Sequence, residues 1–519
     1  MSEVEQNTNV PTPKKQNAFL KAVGFYEAGG STTIRTELVA GIVTFLAMAY
    51  ILTVNPNQIF GSTDSAYWAS AFMATALAAV VGTLLMAFFA KMPLAQASGM
   101  GLNSMLGGII GGYGGYGAAF TPGQGFMLVF ISGLIFLLLS MITIKGKTFR
   151  EWVFDGMPPA IRSAISVGIG LFIAYIGFQN SGIIITDGYK QLELVDFTNW
   201  GTQLVQWKLD GWAAAKTATV AFSGVFIITV LDKLKIKGSI ILGILSASII
   251  GIPLGVTDLS MLAGNDAITW KFWENFGNYF SGNAESSVFG SFIGVFKDGL
   301  MPEGITVFTV VMIIITMCMI DMFDTMGTIV GCCSGNRVLS DENNKPRNYG
   351  KIMLSDAIAT CGGAMLGTST VTTFVESSAG VSAGGRTGLT AFTTAMLFLL
   401  STFALPLFAA IPGAAVASAL IYVGVLMMQG NVKLLDMEDA INATATFLTI
   451  AVMVLSYSIT KGIGVGMITY TVTSTLAYVI AWIKYAVTKQ EKPEWKVSVV
   501  TIVVALLFCL YFFVPATAF

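Results

Sequence analysis

The sequence predicts an all-α polytopic membrane protein, and three observations predict it. Hydrophobic residues make up 54% of the 519-residue chain and charged residues only 11%, with a mean hydropathy of +0.74. A soluble domain carries about 25% charged residues, so this composition cannot cover a water-facing surface. The apolar residues also run in long uniform segments of the roughly 20 residues that a spanning helix needs. They lack the alternation of an outer-membrane barrel. Finally, the basic residues partition between alternate loops as the positive-inside rule requires. With the N-terminus in the cytoplasm, only Lys190, Lys208, Lys216, Lys271, Lys297 and Lys461 of the 28 Lys and Arg fall outside.

Taken in order, residues 1–24 are polar, lack an apolar signal core and read as a disordered cytoplasmic tail. Apolar segments follow at 38–56, 66–90, 98–112, 124–144, 160–180, 214–232 and 238–256. A second set lies at 304–331, 352–367, 376–387, 388–410, 412–429, 441–458 and 462–484. These make fourteen transmembrane helices, with a further apolar stretch at 497–515. The expected organisation is a tail (1–24), a first repeat (25–256), an extracellular loop (257–303), a second repeat (304–485) and a C-terminal apolar segment (486–519).

The two sets echo one another. Met157-Pro158-Pro159-Ala160, whose helix reaches Gly170, matches Ile411-Pro412-Gly413-Ala414, whose helix reaches Gly424. Val230-Leu231 and Lys237-Gly238 match Val454-Leu455 and Lys461-Gly462. Seven crossings per half place Lys237 inside and Lys461 outside, so the repeats are inverted. Inverted repeats are a transporter architecture, with the substrate site near the midplane where the halves meet.

Composition excludes several functions. A net charge of −1 gives no electrostatic case for nucleic acid. With no histidine in the chain, a histidine proton relay, a histidine metal site and a Ser–His triad are all absent. The cysteines show no ligand spacing, and Cys332–Cys333 reads as helix packing.

The polar content of the spans locates a site. Pro93-Leu94-Ala95-Gln96-Ala97-Ser98-Gly99-Met100-Gly101-Leu102-Asn103 is poor continuous helix. The second half carries Gly367-Thr368-Ser369-Thr370-Val371-Thr372-Thr373-Phe374-Val375-Glu376-Ser377-Ser378-Ala379-Gly380 at the corresponding place. Its Thr and Val favour an extended segment, and Ser377 or Ser378 could cap a following half-helix. Unwound backbone at membrane depth is tolerated where it is buried or lines a cavity, and half-helix N-termini there offer N–H donors.

Three acids sharpen the reading. Asp321 and Asp324 are the only charged residues between Glu303 and Arg337, and Glu376 is the only one between Asp356 and Arg386. An ionisable group inside a span costs about 2.5–3.5 kcal/mol on insertion scales. The i, i+3 spacing puts Asp321 and Asp324 on one helix face. Such a site suits a ligand that presents N–H donors, together with a proton or other cation. Taking a carboxylate out of water favours its neutral form, so such a group can take up and release a coupling proton.

Gly30-Ser-Thr-Thr-Ile-Arg35-Thr-Glu37, Thr44-Phe-Leu-Ala-Met-Ala-Tyr50, Asn55-Pro56, Gly99-Met-Gly-Leu-Asn103, Asp321-Met-Phe-Asp324-Thr and the Gly367–Ser377 stretch carry a resemblance. From about residue 25 to 485 the chain resembles the adenine/guanine/hypoxanthine permeases. These are a branch of the nucleobase/ascorbate transporter (nucleobase:cation symporter) superfamily. The resemblance implies a 7+7 inverted repeat with short extended segments in helices 3 and 10. It implies a core domain (helices 1–4 and 8–11) and a gate domain (5–7 and 12–14) that moves against it. It further implies proton-coupled purine uptake across the plasma or inner membrane, and a homodimer packed through gate domains. Site residues carry over onto Asn103, Asp321, Asp324 and Glu376. Where family members commonly read Gly-Leu-Asn-Ala-Tyr-Phe, this chain reads Gly101-Leu-Asn-Ser-Met-Leu106.

The chemistry of a purine fits these residues. Glu376 and one of the two aspartates can accept its N–H hydrogen bonds. N–H groups near Gly99–Gly101 and Ser377–Ala379 can donate to its acceptors, and Asn103 can do either. Phe45, Phe323 and Phe374 are candidates for stacking. Glu376, Asp321 and Asp324 are the candidate proton carriers; no other cofactor is expected.

Two alternatives lie within transport: a uracil or xanthine permease, and sodium in place of the proton. A membrane prenyltransferase would also use Asp-x-x-Asp. It would need a second Asp-rich motif at membrane depth, whereas Glu376 reads as the only other buried acid. No enzyme is expected.

Overall fold

The computed structural model describes residues 17–513 apart from 62, 64, 112–119, 145–146, 149–155, 186–191, 202, 206–207, 237, 265–267, 303, 334–337, 341–345, 457, 490–491, 493 and 496. Among the described residues, eight helices are long and apolar enough to cross a membrane, and shorter apolar helices accompany them.

The first half comprises α1 (Ile34–Met48), α2 (Ile51–Phe60), α3 (Trp68–Leu85), strand β1 (Gln96–Ser98) and α4 (Met100–Ile110). It continues with α5 (Pro122–Met141), α6 (Pro159–Asn180), α7 (Ala214–Lys233) and α8 (Ser239–Gly251). Two helices not anticipated, α9 (Phe272–Phe280) and α10 (Val288–Asp298), occupy the connection expected to be only a loop. The second half holds α11 (Val307–Cys333), α12 (Tyr349–Leu366), strand β2 (Val371–Thr373), the six-residue α13 (Ser377–Ser382) and α14 (Gly388–Ser401). It ends with α15 (Gly413–Asn431), α16 (Ala440–Leu455) and α17 (Ile459–Thr488), followed by α18 (Val499–Phe513) over the C-terminal apolar stretch.

Local chemistry sets these boundaries. Thr121 and Gln124 form a reciprocal capping box at the start of α5, and Asp439 accepts from the Ile441 and Asn442 amides at the start of α16. Prolines open α6 and α15, where a missing N–H costs nothing. The segment expected as one helix over 38–56 is interrupted at Ala49 and Tyr50, between α1 and α2. Part of the expected N-terminal tail is ordered. Residues 18–22 are helical, and the carbonyl of buried Val23 accepts from the Gly388 amide at 3.0 Å. Residues 1–16 lie outside the described residues.

The helices sort into two groups by packing. α5 packs on α11 and α12, while α14 packs on α1 and α3, and α3 also packs on α12. Separately, α6 packs on α15, α16 and α17, α15 packs on α7 and α8, α7 packs on α8, and α16 packs on α17. These contacts come in exchanged pairs. The neighbours of α5 in the second half mirror those of α14 in the first, and α6 with α16 mirrors α15 with α7. Two repeats packed about an approximate twofold produce this pattern.

Equivalent elements meet on that axis. β1 and β2 pair antiparallel, with Gln96 opposite Thr373, Ala97 opposite Thr372 and Ser98 opposite Val371. This pairing satisfies main-chain groups where each half breaks its helix, the requirement for unwound backbone away from water. α6 and α15, which begin at the matched prolines, cross where Gly170 and Gly424 lie. There a Cβ on Gly170 would sit 2.8 Å from the Gly424 carbonyl oxygen.

Candidate functional site

A cavity of about 130 Å³ opens between the two helix groups, beside the paired strands. One wall comes from the first group: Met100 and Gly101 of α4, Asp324 and Thr328 of α11, and Thr372–Glu376 leading from β2 into α13. The facing wall comes from Ser166, Ile169 and Ile173 of α6 and from Leu426, Met427 and Asn431 of α15. Among the described lining residues there is no lysine or arginine.

Glu376 caps α13 and is 5% exposed. Its Oε1 accepts a hydrogen bond from the Tyr50 hydroxyl at 2.5 Å, and Oε2 has no partner among the described residues. Asp324 is half-buried, with the Thr372 hydroxyl hydrogen-bonded to its carboxyl group. Gly101 and Phe374 also line the cavity.

Other expected site residues lie elsewhere. Asp321 is not on the wall; it is 1% exposed, and its Oδ2 lies 3.4 Å from the Thr360 hydroxyl of α12. Three residues turn a helix through about 300° at 3.6 per turn, so the two aspartates diverge by about 60°. That divergence is enough to separate a cavity from a helix–helix contact. One turn on, the Thr325 hydroxyl donates to Asp356, 3.0 Å from either carboxylate oxygen. Asp321 and Thr325 of α11 thus face Thr360 and Asp356 of α12 in a reciprocal ladder.

Asn103 is fully buried behind the cavity wall. Its Oδ1 accepts from the Ser369 hydroxyl, and its Nδ2 has no partner among the described residues. Gly99 caps α4, and its amide donates to the Thr370 carbonyl at 2.9 Å. Phe45 sits edge-on to Phe398 with ring centroids 5.2 Å apart, away from the cavity. The Phe323 side chain lies outside the described residues.

Neither serine caps α13. The Ser377 hydroxyl oxygen instead accepts from the Ala95 amide at 3.0 Å, tying α13 to the approach to β1. Ser378 is half-buried and off the cavity wall. The amides of Ser377, Ser378 and Ala379 donate to the carbonyls of Phe374, Val375 and Glu376 at 3.1, 3.0 and 2.9 Å. Those three donors are satisfied within the turn, which overturns the expectation that they are open to a ligand. At α4 the first amide in the helical ladder is that of Asn103, which donates to Gly99.

The expectation that Glu376 is the only other buried acid is also corrected. Asp356 and Glu37 are both 0% exposed. Glu37 accepts from the Arg386 amide at 2.8 Å, from the Thr387 and Thr390 amides at 3.3 and 3.2 Å, and from the Thr390 hydroxyl at 2.5 Å. It clasps the N-terminus of α14, where a negative charge is favoured.

Two helix groups enclose an acidic cavity beside broken, paired segments, and the comparisons place this arrangement among multi-pass membrane permeases. The particular family follows from the comparisons: the chain belongs to the permease family, whose sequence profile matches residues 35–465. It is 32% identical over 495 residues to the guanine/hypoxanthine permease PbuO of Bacillus subtilis, covering 93% of this chain and 98% of that one. It is 33% identical over 439 residues to the adenine permease AdeQ of Escherichia coli, covering 85% and 87%. In fold it is similar to the transmembrane domain of a cyanobacterial bicarbonate transporter, BicA. That likeness has a TM-score of 0.54 at 15% identity and covers 82% of this chain and 97% of that domain.

Proposed function

We propose that the protein imports purine nucleobases (guanine, hypoxanthine or adenine) across the cell membrane by proton symport with alternating access. The observation that carries this reading is the presence of Asp324 and Glu376, whose Oε2 is buried without a partner among the described residues, on one cavity wall where no described residue is basic. Two carboxyl groups accept the N–H edge of a flat base, and hydrogen bonds to charged acceptors are the strong ones. Phe374 lies beside them to cover a ring face. The names of the relatives support the same substrate class.

In this reading fourteen helices cross the membrane as a 7+7 inverted repeat with a cytoplasmic N-terminus. The group containing α6 and α15 is the gate. Its wall slides against the group that holds the carboxylates and exposes the cavity first to one side, then to the other. Gate domains pack into a homodimer. Fusions of a topology reporter after residues 147 and 489 should report cytoplasm, and fusions near 195 and 275 the outside.

Competition for radiolabelled hypoxanthine uptake tests the substrate, with adenine, guanine, xanthine and uracil as competitors. Competition by adenine or guanine supports the reading; competition by xanthine and uracil alone replaces it. Uptake that follows a sodium gradient and ignores a proton gradient replaces the coupling ion.

A further inference from the structure

We infer that Tyr50 is the positioning residue of the site: its hydroxyl holds Glu376 by Oε1 and leaves the other carboxylate oxygen, Oε2, as the one free to meet a ligand. This rests on the reading of that cavity as the nucleobase site. Tyr50 stands at the interruption between α1 and α2 and is 1% exposed. From there its phenol oxygen reaches Glu376 Oε1 at 2.5 Å. The Met100 sulfur, 3.7 Å away, is its other polar neighbour among the described residues.

A phenol has a single hydrogen to give. Given to Oε1, it leaves Tyr50 nothing to donate to a ligand, so Tyr50 acts through Glu376. A carboxyl group held at one oxygen can no longer swing freely about its last torsion, and terminal torsions of this kind are otherwise broad. Oε2 is then fixed in direction and buried, without a protein partner among the described residues, on a side chain that lines the cavity. That is the oxygen left for the N–H of a base or for a proton. Among the described residues, the other titratable groups around Glu376 are Asp324 and Cys332, both on α11. Neither donates to Oε1, so fixing the carboxyl group falls to the tyrosine.

Tyr50→Phe keeps the ring and removes only this hydrogen bond. In proteoliposomes it should raise the KM for hypoxanthine about tenfold, the equivalent of ~1.4 kcal/mol, and displace the pH profile of uptake. In the Glu376→Gln background the same substitution should change exchange of substrate little further, since its target carboxylate is gone. A second readout needs no transport. The infrared carboxyl band lost in Glu376→Gln should shift in Tyr50→Phe. Wild-type KM and pH profile with an unmoved band would overturn the inference, as would full additivity of the two substitutions. Failure of the wild-type protein to take up any purine would instead remove the proposed substrate. The infrared shift would still decide whether Tyr50 holds Glu376.

Discussion

Gly170 and Gly424, matched residues of the two sequence repeats, pack against each other backbone to backbone at the crossing of α6 and α15. A repeat partner touching its own counterpart is what an axis of approximate symmetry requires. The crossing also forms the back of the cavity wall, because Ile169, Ile173, Leu426 and Met427 flank it.

A side chain at this crossing has nowhere to go, since a Cβ on Gly424 would sit 2.8 Å from the Ala174 Cβ and closer still to the Gly170 carbonyl oxygen. Gly424→Val should therefore separate α6 from α15. Overpacking of this kind costs about 1–3 kcal/mol. The expected outcome is a lower melting temperature in detergent and loss of uptake in membranes, with Gly413→Ala as a control that meets nothing within 4 Å. Unchanged melting in Gly424→Val would contradict the close crossing.

Coupling should fail when the open carboxyl oxygen is replaced. One charge moving across about 100 mV supplies about 2.3 kcal/mol, roughly a fifty-fold accumulation at tenfold per 1.4 kcal/mol. Glu376→Gln keeps shape and hydrogen-bonding capacity but cannot carry a proton. It should lose this accumulation while exchange of substrate across the membrane persists. Proton-driven accumulation at the wild-type level would shift the proton to Asp324.

The two aspartates of α11 should separate cleanly. Asp324→Asn alters a cavity wall and should raise KM, with hydrogen bonds to charged groups worth about 1.5–3 kcal/mol. Asp321→Asn alters the ladder to α12, so its main effect should be on melting temperature. Equal losses of substrate affinity in both, with stability intact, would contradict this division.

Glu37 offers a stability test away from the cavity. Glu37→Ala strips the acceptors from three amides and a hydroxyl at the start of α14. Unmet buried donors cost about 1–3 kcal/mol each, so melting should fall sharply. Glu37→Gln, which retains one good acceptor, should fall less. Both should leave the KM of the surviving protein near wild type.

Much of this was legible in the sequence because it follows from composition. The breaks at Gln96–Ser98 and Val371–Thr373 announced themselves through Pro, Gly, Thr and Val at membrane depth. Glu376 and Asp324 stood out as charges in apolar runs. Tyr50 gives no such signal, because a neutral phenol in an apolar run carries no charge to mark it. Glu37 borders the apolar stretch at 38–56 and Asp356 lies inside that at 352–367, and the partners that bury them, Thr390 and Thr325, belong to other helices. The role of Ser377 was not legible either, because its partner, Ala95, lies 282 residues away. The face of Asp321 depends on a rotation of about 60°, which spacing alone does not resolve against neighbours still unknown.

The pairing of β1 with β2 also sets a schedule. The Gln96 side chain meets Thr373, a residue 277 positions later in the chain. At about 5–20 residues per second of synthesis, the first strand waits roughly 15–55 s before its partner exists. Throughout that interval a stretch of main chain destined for the membrane interior has no strand beside it. Slower elongation lengthens the wait, and a chain released before Val371 never ends it. The half made last is what closes the half made first.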